Sequence, residues 1–312
     1  MKSKNILITG GAGFIGSHLV ELLSSFPNEY KIIVVDNLST GRLENLPANI
    51  EFFKCDIREK ELEDIFKTKN INTVIHLAAQ TMVSYSINNP DIDADINICG
   101  GINLLSCMLK YAVKNIIFSS SAAVYGDGLP LPIAENFLAK PTSFYGLSKL
   151  TFENYLALYS NIKDINATIL RFANVYGPRQ GDSGEGGVIS VYAKKIIKNE
   201  PLTIYGDGLQ TRDFIYVADV AKAIKHCIDK PHSLVTYNVS TNKQTSLLEL
   251  IAMFSTIANT KPQIKFESAK TGDIYKSVLD NSLLLNSGLE LSTSLKSGLT
   301  LTLNGFNTNK ED

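Results

Sequence analysis

At roughly 150 residues per domain, a chain of 312 residues fits two domains, or one large α/β unit with an elaboration. Apolar residues make up 44% and charged residues 20%, enough to bury a sizeable core. Lys plus Arg number 30 against 31 for Asp plus Glu, and a net charge of −1 lacks the basic surplus of a nucleic-acid binder. No run reaches the ~18–20 consecutive apolar residues of a membrane span. The start Met1-Lys2-Ser3-Lys4 imitates a signal peptide's basic end, but Gly10-Gly11 breaks the apolar run that follows and no small-residue cleavage site appears. Cys55, Cys99, Cys107 and Cys227 form no C-x-x-C pair, and His18, His76, His226 and His232 have no metal-ligand spacing. A cytoplasmic protein without a structural metal is expected.

In chain order, Asn5–Thr9 reads as a buried strand, followed by a helix from about Gly13 to Ser25 and a strand at Lys31–Val35. Further strands are expected at Ile50–Lys54, Thr73–His76, Asn115–Ser119 and Ala167–Arg171. Helices near Glu59–Lys69, Asp95–Tyr111 and Ser143–Ser160 separate them. Alternation of this kind predicts an α/β fold with a parallel sheet covered on both faces, since parallel strands need crossover connections. After Arg171 the rhythm changes to a Gly-rich loop, a helix at Val188–Asn199, a strand at Leu202–Tyr205 and a helix at Ala218–Asp229. Helices at Leu247–Ala258 and Ser294–Leu303 are expected near the end. The predicted division is a nucleotide-binding domain over 1–172 plus about 213–240, and a smaller mixed α/β substrate domain over 173–212 and 241–312.

The run Thr9-Gly10-Gly11-Ala12-Gly13-Phe14-Ile15-Gly16 follows a strand and opens a helix. Glycines there allow a tight turn and let backbone N–H groups approach a pyrophosphate. The second strand ends at Asp36, where a carboxylate suits the adenosine ribose hydroxyls of NAD, and no Arg follows at once to take the extra phosphate of NADP. Asp56, beyond the third strand, is a candidate for the adenine edge.

Tyr145 and Lys149 stand four apart on a predicted helix, so an ammonium can lie beside the phenol and bring its pKa down towards neutrality. Tyr159 and Lys163 share that spacing, but ~21 Å of helix separates the two tyrosines and one nicotinamide cannot serve both. Tyr145 sits near the helix start, where the macrodipole favours a phenolate, and Tyr159 near the end, where it does not. Ser119-Ser120-Ser121 follows a strand, and ligands of open α/β sheets bind at the strands' carboxyl ends.

Together these residues resemble the extended short-chain dehydrogenases/reductases, in the NAD-dependent epimerase/dehydratase family, most closely their UDP-glucose 4-epimerase branch. The likeness runs through nearly the whole chain. It includes Asp36-Asn37-Leu38-Ser39-Thr40-Gly41, His76-Leu77-Ala78-Ala79-Gln80, Tyr145-Gly146-Leu147-Ser148-Lys149 and Arg171-Phe172-Ala173-Asn174. Gly206-Asp207-Gly208 with Thr211-Arg212-Asp213, and Gly272-Asp273, continue it.

The resemblance implies a Rossmann-like doubly wound fold. NAD would be held by Gly10, Gly13, Phe14, Ile15, Gly16, Asp36, Asn37, Ser39, Thr40, Gly41, Asp56 and Ile57, then by Leu77, Ala78, Ala79, Gln80, Asn97, Ser119 and Phe172. It implies Tyr145 as acid/base, Ser121 on the sugar's 4-oxygen, and Lys149 on the nicotinamide ribose. UDP would lie against Asn174, Val188, Thr203, Tyr205, Arg212, Lys270 and Asp273, with Ser277 beside the sugar's 2-substituent. Lys270 stands where the family usually has Arg and lacks its two-pronged grip on a diphosphate. Sugar 4,6-dehydratases follow the hydroxyl residue with Asp-Glu, whereas this chain has Ala122-Ala123 and no proton donor for elimination. The expected protein is therefore an NAD-dependent 4-epimerase for UDP-glucose and UDP-galactose, open also to the N-acetyl pair, acting as a homodimer. A UDP-uronate decarboxylase or 4-reductase is the alternative among enzymes. A non-catalytic Rossmann nucleotide sensor is the alternative from another class.

Overall fold

Lys4–Thr9 (β1) is the hub of a seven-stranded sheet with Tyr30–Asp36 (β2) on one side and Thr73–His76 (β4) on the other. The computed structural model describes residues 3–181, 187–269 and 274–308. Glu51–Lys54 (β3) extends the sheet beyond β2. Asn115–Ser121 (β5) and Asn166–Phe172 (β6) extend it beyond β4, and Leu234–Val239 borders β6. From β3 through to β6 each pairing is parallel. That arrangement is dictated by residue type. Ile6, Leu7, Ile8, Ile33, Val34, Val74 and Ile75 have no exposed surface, as expected of strands covered on both faces.

The covering helices of this unit include Phe14–Ser24 (α1), Leu62–Lys69 (α2), Val83–Asn88 (α3), Pro90–Ala94 (α4), Gly100–Lys110 (α5) and Phe144–Lys163 (α6). The helix expected over Asp95–Tyr111 begins earlier, at Pro90. It runs from α4 into α5 through one turn of π-helix, Asp95–Cys99. A π turn inserts a residue and re-aims the side chains on it, and such turns cluster at functional sites. By length and composition alone Pro90–Lys110 could cross a membrane, yet its Leu104, Leu105 and Met108 are fully buried in the core. Phe152 of α6 closes the same core, edge-on to Phe118 with ring centroids 4.8 Å apart. Gly101 makes room for it: a Cβ there would sit 2.4 Å from Phe152 Cε2.

The chain forms two compact units. The first holds 1–128, 135–172 and 221–237, and the second 129–134, 173–220 and 238–312. Residues 129–134, 213–220 and 238–240, assigned to the first domain by sequence, thus fall in the second unit. The reason is pairing: Phe214–Tyr216 lies parallel to Asn174–Tyr176, and Ile133 exchanges hydrogen bonds with Val278 and Asp280. Within the second unit Leu202–Tyr205 pairs with Ile264–Glu267, and Thr211–Arg212 runs antiparallel to Thr245–Ser246. Buried Asp213 ties it together, accepting from Thr241 N and Oγ1 and from Asn242 N.

Replacing Gly101 by Ala should lower the unfolding free energy by about 1–3 kcal/mol, because a buried ring must yield to the new methyl. Denaturant titration of the two proteins checks this, and an unchanged or raised midpoint would contradict the packing.

Candidate active site

The Gly-rich turn is shaped by close backbone approach. Gly10 has φ +70°, and a Cβ on it would lie 2.7 Å from Ala78 N; a Cβ on Gly16 would lie 2.2 Å from Gly10 O. No side chain caps α1 at Gly13, so the first-turn N–H groups of Phe14, Ile15 and Gly16 are offered to an anion. Asp36 closes the turn, its two oxygens accepting from Ala12 N at 3.0 Å and Leu38 N at 2.8 Å. Burial raises its pKa, against those backbone donors. Gly41 packs on the same carboxylate, where a Cβ would be 2.9 Å from Oδ2. Asn37, Ser39 and Thr40 are exposed on the loop between. A turn that admits no side chain, an uncapped helix and a carboxylate at the second strand's end together fit a dinucleotide.

Asp56, expected near the adenine edge, is engaged by its neighbours. Its carboxylate already accepts from Asn37 Nδ2, from Arg58 N and from Arg58 Nε and Nη2, all at 2.7–3.0 Å. Those four donors fill its lone-pair sites. The Arg58 guanidinium holds it far below the usual carboxylate range. An adenine edge would meet a side chain already engaged. Neighbouring Ile57 is buried against Gly100.

Each serine of the triplet has a different partner. Ser119 Oγ donates to His76 O at 3.0 Å, Ser120 Oγ to Glu153 Oε1, and Ser121 Oγ accepts from Ala123 N at 3.2 Å. The Ser121 hydroxyl also lies close enough to the Tyr145 phenol to lower its pKa. The ladder sets this register, pairing Ser119 with Leu170, Ser120 with Arg171 and Ser121 with Phe172. Ser143 caps α6 through Gly146 N, placing Tyr145 in the first turn. Gly146 lets that turn approach Ser121–Val124 closely; a Cβ there would stand 2.5 Å from Ala123 O.

Lys149, 3% exposed, donates from Nζ to Ser119 O at 3.0 Å, and Nζ lies 4.9 Å from the Phe118 ring centroid and 5.9 Å from that of Tyr145. Burial brings its pKa down to about 8, while the Asp93 and Glu153 carboxylates push it up. Tyr145 departs from the sequence expectation: burial raises its pKa, Ser121 lowers it, and the Asp93 charge raises it further. The ammonium is spent on the Ser119 carbonyl, so desolvation of the phenol wins. Tyr159, with the matching spacing, packs on the hydrophobic core instead.

Asn97, on the π turn, clamps the segment after β4. Its Oδ1 accepts from Gln80 N at 2.9 Å, and its Nδ2 reaches Gln80 O at 3.1 Å and Ser148 Oγ at 3.0 Å. Leu77, Ala78 and Ala79 lie on that segment, with Leu77 N bonded to Thr9 O and Ala78 N to Thr9 Oγ1. Beneath, Glu153 and Arg171 form a buried two-pronged ion pair, Nε–Oε1 3.0 Å and Nη2–Oε2 2.6 Å. Sequence reasoning missed Glu153 and Asp93. The signal was present in both, since each stands four residues from a selected one, Lys149 or Asn97.

In the second unit, Arg212 Nη1 donates to Thr211 O at 3.0 Å, and Ser277 N to the same oxygen at 3.2 Å, so these two expected residues are neighbours. Thr203 and Tyr205 share a strand whose carbonyls accept from Tyr192 and Gln210. Asn174 is exposed at a strand start and Val188 opens the helix Val188–Ile197. Lys270 and Asp273 lie outside the described residues.

The chain belongs to the NAD dependent epimerase/dehydratase family, whose model matches residues 6–240. A relative in Methanocaldococcus jannaschii is 42% identical over 305 residues, 97% of this chain and 99% of its own. The structure of a Thermotoga maritima UDP-glucose 4-epimerase with UDP-glucose superposes with TM-score 0.94 at 38% identity, covering 98% of this chain and 100% of that one. A UDP-N-acetylglucosamine 4-epimerase from Methanobrevibacter ruminantium, in complex with UDP-N-acetylmuramic acid, gives 0.93 at 34%, covering 99% and 100%.

Lys149 supplies a test that needs no substrate. Its folded pKa is depressed, so the unfolded chain holds the extra proton between about pH 8 and 10.5 and wild-type stability gains over that window. The Lys149→Met protein lacks the gain. Relative to wild type it should lose roughly 2–3 kcal/mol in denaturant titrations between pH 7 and pH 10; a difference independent of pH would show that Lys149 is not charged and buried at neutrality.

Proposed function

We propose that this protein is an NAD-dependent UDP-sugar 4-epimerase. The observation that carries the reading is the Tyr145 phenol set beside Ser121, with Lys149 buried and its Nζ 5.9 Å from the phenol ring centroid, at the carboxyl end of β5. The Gly10–Gly16 turn and Asp36 would hold the dinucleotide, and Arg212, Thr203, Tyr205, Asn174 and Val188 the UDP end. Bound NAD supplies a hydride acceptor and donor at the sugar's C4. Tyr145 takes the proton of the 4-hydroxyl and returns it after the sugar has turned over. Ser121, beside the same phenol, holds the 4-oxygen within reach. Lys149 keeps positive charge near the phenolate as it forms. Anchoring at the UDP end, far from the reacting carbon, lets the hexose ring rotate without escape. Ala122 and Ala123 offer no acid for elimination of water, which disfavours a dehydratase.

The sugars are inferred to be the glucose/galactose pair and their 2-acetamido forms, since Ser277, next to Arg212, is small. Leu147, Leu158 and Ile162 fall on one face of α6, the last two 56% and 69% exposed, which supports a homodimer through this helix. Four unpaired cysteines suit a cytoplasmic location.

Incubation of the purified protein with a panel of UDP-hexoses and UDP-N-acetylhexosamines should yield 4-epimers; no product from any of them, with NAD present, would sink the reading. Ser277→Tyr should depress only the N-acetyl reaction, because a phenol ring fills the space an acetamido group needs. Equal loss on both sugar types would refute that gate. Tyr145→Phe should cut kcat by about 10²–10⁴ with KM little changed, and Tyr159→Phe should do far less. Comparable losses in the two variants would mean that the wrong tyrosine is assigned.

A further inference from the structure

Asp93 is 1% exposed, and among the described residues its Oδ2 has no hydrogen-bond partner. Its Oδ1 accepts only from neutral amides, Gln80 Nε2 at 2.6 Å and Asn97 Nδ2 at 3.3 Å. An ionised carboxylate left this way inside a protein is costly and calls for a compensating charge. Lys149 presents the converse: a buried ammonium whose hydrogen bond goes to the neutral Ser119 carbonyl. The other acid near it, Glu153, is taken up by Arg171 and Ser120.

The elements bring the two unanswered charges together. Both α3 and α4 pack against α6, and the relay Asn97 Nδ2 to Ser148 Oγ, then Ser148 Oγ to Tyr145 O, links Asp93's neighbour to the first turn of α6. The Asp93 charge acts on both Tyr145 and Lys149. The remaining titratable groups around them are His76 from β4, kept neutral by burial, Glu153 on α6, Tyr85 on α3, and Asp91 and Asp95 flanking Asp93.

We propose that Asp93 is a positioning residue for the Tyr145/Lys149 pair. Its buried carboxylate is the counter-charge that keeps Lys149 protonated, and its bonds to Gln80 and Asn97 lock the segment after β4 against α6. This rests on the epimerase reading only for its kinetic consequence.

The experiment is a double-mutant cycle of Asp93→Asn and Lys149→Met, read as Tm at pH 7 and pH 10. Asp93→Asn keeps shape and removes charge. At pH 7 it should lower Tm by several degrees more in the wild-type background than in Lys149→Met, and the excess should disappear at pH 10, where Lys149 is neutral. Equal Tm changes in both backgrounds at pH 7 would overturn the pairing. Asp93→Ser, read the same way, serves if the Asn variant does not fold. In turnover, Asp93→Asn should move the alkaline limb of the kcat profile down by about one pH unit with KM nearly unchanged. A purely structural residue would leave that limb in place, and an unmoved limb in an active enzyme overturns the inference. Intact Tm coupling in a wild type inactive on every UDP-sugar would support the pairing while sinking the epimerase reading.

Discussion

A protonated ammonium enclosed by protein must have its charge answered, and the residues at the carboxyl end of β5 are arranged around how Lys149 meets that demand. Its direct acceptor is the Ser119 carbonyl, with the faces of Phe118 and Tyr145 alongside. Ser119 cannot drift, because its own hydroxyl is bound to His76 O. His76 must stay uncharged beside a cation; burial and Lys149 bring its pKa down to about 3, and its ring lies against Phe118 and Phe152. Glu153, one turn along α6, is neutralised by Arg171.

Much of this fold is legible in the sequence because its signals are local. Thr73–His76 and Leu202–Tyr205 fall where their apolar runs place them, and the other expected strands agree within a residue or two, whereas Leu234–Val239, at the edge of the main sheet, is not among them. The Gly10–Gly16 turn is readable for the same reason: only glycine fits where backbone lies within 3 Å of the missing Cβ. The elements that escaped notice are those whose partners are distant. Asn174–Tyr176 is three residues long and gains meaning only from pairing with Phe214–Tyr216, forty positions on. The start of the α4–α5 stretch was hidden because Pro90 reads as a stop, though proline is tolerated in a helix's first turn.

At the site, residue types were visible and their electrostatics were not. Spacing put Lys149 beside Tyr145, but it could not show that the ammonium bonds to Ser119 O and leaves the phenol to desolvation. Asp56 was picked out for a carboxylate at a strand's end, while Arg58, two residues on, fills its acceptor sites. A sequence motif names which groups meet; how many lone pairs they have left is decided by neighbours that the motif does not contain.

That distinction bears on how the chemistry is controlled. With its pKa raised by burial and by the Asp93 charge, against the lowering effect of Ser121, Tyr145 stays protonated at neutral pH in the chain alone. A base that is silent at rest cannot strip a proton from water or from a wrongly seated sugar. In the epimerase reading Tyr145 loses its proton only when further positive charge is bound beside it and hydride can leave the sugar at the same moment. Asp93 then acts on the pair in two ways. Its carboxylate favours the charged lysine and at the same time disfavours the phenolate. In that reading the half-buried Tyr145 would act as base in one half of the cycle and as acid in the other, which a phenol locked in either protonation state could not do.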